Sequence, residues 1–162
     1  YRAQADADFL VKITEAPHYR RYAVQQARHQ DGRSKHPASI LPPRLMRTEG
    51  PGHSIGLAPQ AVNSGNGFMF IAHTGDVFPS GFLPIMAGNV RRQSLASIYR
   101  DSDIFRQLRR PHEFDGVCGI CEFNTICGGS RSRAFALTGN PLASDPWCAY
   151  RPAVTPPPGG TH

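Results

Sequence analysis

Cys118, Cys121, Cys127 and Cys148 are the only thiols in the chain, and the first three fall within ten residues. Two thiolates three positions apart can grip one metal centre from a tight turn. A third, at the end of the next loop, closes a face of the site, and a distant fourth completes it. Four thiolates are what a cubane cluster needs at its four irons. Four cysteines also make a closed structural zinc site, whose usual form pairs two C-x2-C knuckles. Here there is one knuckle, Cys118-x2-Cys121, with Cys127 and Cys148 each standing alone. The spacing favours an iron–sulfur cluster on Cys118, Cys121, Cys127 and Cys148, with zinc as the alternative. Two disulfides are a third possibility. The close grouping of three cysteines and a start without the order of a signal peptide weigh against it.

The elements that must position these residues are short. Residues 15–30 read as a helix, with Pro17 suited to its first turn, where a missing N–H costs nothing, and Tyr19, Tyr22 and Ala23 on one face. Phe9 to Ile13 reads as a strand entering that helix. Residues 31–64 are rich in Gly, Pro and Ser and read as a linker or a set of loops. The run Asn63-Ser64-Gly65-Asn66-Gly67 lacks the Lys-Ser/Thr of a phosphate loop and reads as a turn. Alternation over residues 68–73, the turn Thr74-Gly75-Asp76 and Val77-Phe78-Pro79 predict a β-hairpin, with Pro79 at a strand end or edge. Ser94 is placed to cap a helix carrying Leu95, Ile98 and Tyr99, and Asp101 or Ser102 to cap one carrying Ile104, Phe105 and Leu108. A last helix spans 131–138, ended by Gly139 in a left-handed conformation. The Pro/Gly-rich tail 153–162 is expected to be disordered.

Composition narrows the classes of function. The 162 residues suit one domain, with part of another attached, and 16 Gly and 15 Pro imply many loops. The net charge of +6 comes almost wholly from arginine and is interleaved with acids, as in RDSDIFRQLRR, with no basic block and no aromatic interleaving. A solvated surface is expected, and nucleic acid is not a predicted partner. No run is long enough to span a membrane. A reducing, cytoplasmic setting fits. His18, His53 and His73 show no metal-ligand spacing and are expected in surface or core roles.

Read in order, several motifs form a series: Gly75-Asp76-Val77-Phe78-Pro79-Ser80, Gly88-Asn89, Leu108-Arg109, the run from Cys118 to Arg133, and Asp145-Pro146-Trp147-Cys148-Ala149-Tyr150. This series resembles the C-terminal auxiliary-cluster domain of radical SAM enzymes, called SPASM, or twitch in its shorter form. The resemblance covers about residues 65–152. Residues 1–30 look like the last βα segment of the radical SAM barrel. The resemblance implies an α+β fold: a small loop-rich domain with a β-hairpin and short helices around a cluster, preceded by part of a TIM-type barrel.

A full SPASM domain carries two clusters, and its extra ligands include cysteines at places held here by Ser80 and Ser130. By analogy both missing thiolates serve the first auxiliary cluster, and the four remaining cysteines match the second. A single-cluster, twitch-like domain is therefore expected. Radical SAM chemistry needs a C-x3-C-x2-C loop, and no cysteine precedes Cys118. The resemblance thus implies that the catalytic barrel, with S-adenosylmethionine and its own [4Fe-4S] cluster, lies mostly upstream of a chain inactive by itself. The implied function is electron transfer between one auxiliary [4Fe-4S] cluster and a substrate or the catalytic cluster of an oxidoreductase or maturase. The alternative is a zinc-stabilised four-cysteine binding module without a redox role. Implied partners are the upstream barrel, a peptide or small-molecule substrate, and an electron donor.

Around the site, Gly119 is expected to let the backbone turn tightly at the metal. Gly128 and Gly129 are expected to offer N–H groups to sulfur. Arg131 and Arg133 either raise the cluster potential or solvate a helix, and Trp147 is expected to shield the cluster.

Overall fold

The computed structural model describes residues 16–31 and 63–153. The expected strand at Phe9 to Ile13, most of the linker and the tail beyond Ala153 lie outside the described residues. Helix α1 spans His18–Asp31, and Pro17 sits just before it, as the first-turn preference of proline predicts. Its buried positions include Ala23 and Val24, both 0% exposed, whereas Tyr22 is turned outward. The expected Tyr19/Tyr22/Ala23 stripe is therefore rotated. Val24 is the residue that packs into a core with Phe123, Ile126 and Cys127.

The hairpin forms as expected, from β1 (Phe70–Ile71) and β2 (Asp76–Phe78), antiparallel with Phe70 opposite Phe78. A third strand not foreseen, β3 (Gly88–Asn89), pairs on the other side of β2, giving the order β1-β2-β3. Two residues of Gly-Asn carry no alternation, so periodicity could not announce it. Pro79 follows β2 directly, where its lack of a donor breaks no ladder bond.

Two helices cover the sheet. In α2 (Leu95–Asp101), the Ser94 hydroxyl accepts the Ser97 N–H at 3.1 Å, the cap the sequence predicted. In α3 (Asp103–Leu108), Ser102 is the cap position but makes no side-chain capping bond. Val77, Ile98 and Phe105 form the core between sheet and helices. A 3-10 turn, Pro111–Glu113, leads into a short helix, α4 (Gly116–Ile120). The last helix, α5 (Arg131–Thr138), is capped by the Ser130 hydroxyl and ended by Gly139 at φ 74°. Both ends stand where the sequence placed them.

The turn at Asn63–Gly67 joins the two cores. Asn63 Nδ2 donates to the carbonyls of Cys127 at 3.2 Å and Gly129 at 2.7 Å. The Gly65 N–H donates to Pro79 O at 2.8 Å, and the Gly67 N–H to the Tyr99 hydroxyl at 3.0 Å. Three residues of one turn thereby fasten the cysteine loop, the end of β2 and α2 together. Gly65 sits at φ +71°, and an added Cβ would stand 2.8 Å from Leu108 Cδ1.

Candidate metal centre

The four cysteines come from three places. Cys118 lies within α4, Cys121 at its C-terminal cap, Cys127 at the end of the next loop, and Cys148 beyond α5. The expected tight turn at Cys118 is instead a helical turn, and two cysteines three apart on a helix share a face. Gly119 is needed for another reason than a turn at the metal. A Cβ there would stand 1.9 Å from Phe114 O, so α4 lies against the preceding chain with no room for a side chain.

All four thiols are free and line one hollow of about 320 Å³, counted with the space at its mouth. Arg21, Phe123, Asn124, Gly128, Gly129 and Tyr150 complete most of its wall. Among the described residues, no three His, Cys, Asp or Glu side chains are grouped closely enough to hold a single ion. The thiols surround a space; they do not meet at a point.

Hydrogen-bond donors are aimed at the sulfurs. Cys118 Sγ accepts the Asp145 N–H at 3.3 Å and Arg131 Nη2 at 3.5 Å, and Cys121 Sγ accepts the Phe123 N–H at 3.4 Å. Gly129 donates its backbone N–H to Cys127. Gly128 and Gly129 stand at φ +62° and +64°, and a Cβ on Gly129 would lie 3.1 Å from Cys118 Sγ. The paired glycines thus bring bare backbone against the thiols. Burial pushes the Cys127 thiol up to about 11, the Gly129 N–H only partly offsetting it and the neighbouring cysteines adding to it. Burial raises Cys121 as well. Thiols held this way are protonated near neutrality and need a metal to become thiolates.

The two arginines behave differently from one another. Arg131 is 0% exposed, which overturns helix solvation for it. Its guanidinium donates to Pro141 O at 3.1 Å and Ala143 O at 2.8 Å, and lies 4.4 Å over the Phe114 ring. Arg133 is half-buried and grips Asp145 with Nε at 3.1 Å and Nη2 at 2.7 Å.

Asp145 is a residue to which the sequence alone assigned no role. It accepts the N–H groups of Ser130 at 2.7 Å and Trp147 at 3.2 Å, and His18 Nε2 of α1 lies 3.0 Å away. Burial by itself would raise this carboxyl. His18, Arg133 and the two backbone donors outweigh it and hold the group well below the usual carboxylate range. Its backbone N–H bonds Cys118, so one aspartate ties α1, α5 and a thiol together. His18 therefore has the structural role expected of it, and His73 is exposed.

Trp147 does not shield the hollow. It is 72% exposed, with Arg133 5.5 Å over its ring. The bond from its N–H to Asp145 belongs to a chain reversal that leaves the ring outside, and Phe123 and Tyr150 form the apolar wall in its place. Ser80 and Ser130 are both 1% exposed. Ser80 Oγ lies 3.5 Å from Ser132 Oγ, while Ser130 caps α5.

Residues 63–122 match the SPASM family, described as an iron–sulfur cluster-binding domain. This region is a SPASM domain, and the chain is similar to radical SAM/SPASM proteins along most of its length. The match includes Cys118 and Cys121 and stops before Cys127 and Cys148. An AdoMet-dependent heme synthase of Methanosarcina barkeri is 37% identical over 152 residues, covering 94% of this chain and 40% of its own length. A second, from Oleidesulfovibrio alaskensis, is 38% identical over 146 residues, covering 90% of this chain and 34% of its own. A pre-heme d1 synthase of Dinoroseobacter shibae is 35% identical over 96 residues, 57% of this chain and 24% of its own. The chain thus spans two fifths or less of the length of these relatives. No solved structure matches significantly. No helix among the described residues is long and apolar enough to cross a membrane.

Proposed function

We propose that the SPASM-family region holds one auxiliary [4Fe-4S] cluster on Cys118, Cys121, Cys127 and Cys148, and that it extends past the family match to about residue 152. The observation that carries this reading is the arrangement of four free thiols around a single hollow. Thiols spaced around a volume suit a polynuclear cluster, whereas zinc draws four sulfurs onto one ion at about 2.3 Å. The bare backbone at Gly128 and Gly129 and the donors to Cys118 and Cys121 suit sulfur that carries negative charge.

When bound, the cluster supplies one-electron transfer. With four protein thiolates no iron is left open, so substrate coordination is not its role. The chain's own residues orient the thiols: Asp145 and Arg131 at Cys118, Phe123 at Cys121, Gly129 at Cys127. Phe123 and Tyr150 limit water at the wall, which affects the potential.

The whole protein, on this reading, is a cytoplasmic radical SAM enzyme whose barrel and C-x3-C-x2-C loop lie upstream. The similarity to AdoMet-dependent heme synthases covers nearly the entire chain, against 57% for the pre-heme d1 synthase. A reaction on a heme precursor is therefore the favoured activity, with an electron donor as partner. The chain without the loop is inactive toward S-adenosylmethionine.

Anaerobic reconstitution with ferrous iron and sulfide tests the site. The protein should turn brown with about four irons per chain, and Cys148→Ser should lower occupancy as strongly as Cys121→Ser. A colourless protein carrying one zinc would refute the cluster. Unchanged iron in Cys148→Ser would refute the ligand assignment.

A further inference from the structure

Among the described residues, three arginines near the cysteines bond other groups of the protein, and a fourth, Arg21, lines the hollow itself. Arg131 is committed to carbonyls and to Cys118 Sγ. Arg133 faces the Asp145 carboxylate. Arg20 donates to Ile126 O at 3.4 Å. Arg21 differs: it lines the hollow with the four cysteines, yet its Nε is enclosed and has no hydrogen-bond partner. The rest of its guanidinium is held in place. Nη1 donates to Gln25 Oε1, one turn further along α1, at 2.7 Å, and the plane lies 4.4 Å over the Tyr150 ring. Tyr150 is fixed in turn by a hydrogen bond from its hydroxyl to the Glu122 carboxylate, next to Cys121.

An enclosed N–H of a cation without a partner is costly unless something in the chamber accepts it. A thiolate-ligated cluster carries net negative charge in both oxidation states, and its sulfurs accept hydrogen bonds. We infer that α1 supplies Arg21 as the counter-charge of the cluster, its Nε–H donating to cluster or cysteine sulfur. Arg21 is then an electrostatic tuning residue. It stabilises the reduced, more negative form and raises the potential. Because it reaches the hollow from a helix about 100 residues away in sequence from the nearest cysteines, docking of α1 and the redox state of the cluster become linked. This inference rests on the cluster reading above and goes beyond it by assigning a role to a residue outside the cysteine motif.

The test uses the full chain, reconstituted anaerobically with ferrous iron and sulfide and titrated with dithionite while the reduced cluster is followed by electron paramagnetic resonance. Arg21→Gln should shift the reduction equilibrium against the reduced form by about tenfold, ~59 mV for a one-electron couple. Arg21→Lys, which keeps the charge, should recover at least half of that shift. An Arg21→Gln potential equal to wild type would overturn the proposal. If Arg21→Gln takes up no iron, iron content becomes the readout: uptake by Arg21→Lys supports a charge requirement. Loss in both variants, with helical circular dichroism unchanged, shows a packing role and overturns it. Failure of the wild-type chain to take up iron would instead overturn the cluster reading itself.

Discussion

Asp145 concentrates more of the site on one side chain than any cysteine does. Its carboxylate receives two backbone N–H groups and Arg133, with His18 at 3.0 Å. Its side chain is 0% exposed. The sign of its linkage follows from the direction of its pKa. The folded value is depressed, so the group contributes stability that is complete above the ordinary carboxylate range near ~4 and is lost as pH falls below it. Asp145→Asn should cost about 2 kcal/mol at neutral pH and flatten the acid limb of a urea-stability profile below about pH 5. A variant that loses stability on acidification as steeply as wild type would show that Asp145 is not the group responsible. The proline after it and the cysteine three residues on were visible in the sequence. The convergence of α1 and α5 on its oxygens was not, because those partners are 12 to 127 residues away.

At the scale of elements, short helices are held by their ends and by close approach more than by propensity. Ser94 and Gly139 were legible because capping is local chemistry, decided within four residues. Gly119 was legible only as a special residue. Its reason is a packing fact: the first carbon of any side chain placed there would stand 1.9 Å from Phe114 O. Two glycines separate these causes. Gly119→Ala meets backbone that cannot swing aside, and should destabilise by about 3 kcal/mol or more, at the upper end for overpacking. Gly139→Ala meets nothing within 4 Å and should cost only about 1 kcal/mol for its left-handed φ. Equal midpoints in urea for the two variants would contradict this division. Trp147 shows the converse error. An aromatic beside a cysteine suggests a shield, but neighbours in sequence at a chain reversal point to opposite sides.

Across the whole molecule, the cysteine loop and the sheet have separate cores joined by the Asn63 turn, and α1 closes the first of them. Val24 packs with Phe123, Ile126 and Cys127, so metal retention and the docking of α1 share contacts. Val24→Ala should lower stability by about 2 kcal/mol, from lost methyl burial and the cavity left behind. It should also speed the stripping of iron from the reconstituted chain by a ferrous chelator several-fold. Stripping at the wild-type rate, despite the lost stability, would mean that α1 does not guard the site.

By itself the sequence determined the four thiols, their spacing, the family they resemble, the hairpin and the capped helices, because each is written in residues close together along the chain. Only the tertiary structure decided what surrounds the thiols: the buried guanidinium of Arg131 at Cys118, the Asp145 hub, the turn that clasps two cores, and Arg21 at the hollow. Those arrangements depend on which distant segments pack together, and burial reverses the ordinary expectation for a charged side chain. An arginine in a helix reads as a solvated residue until the fold removes the solvent.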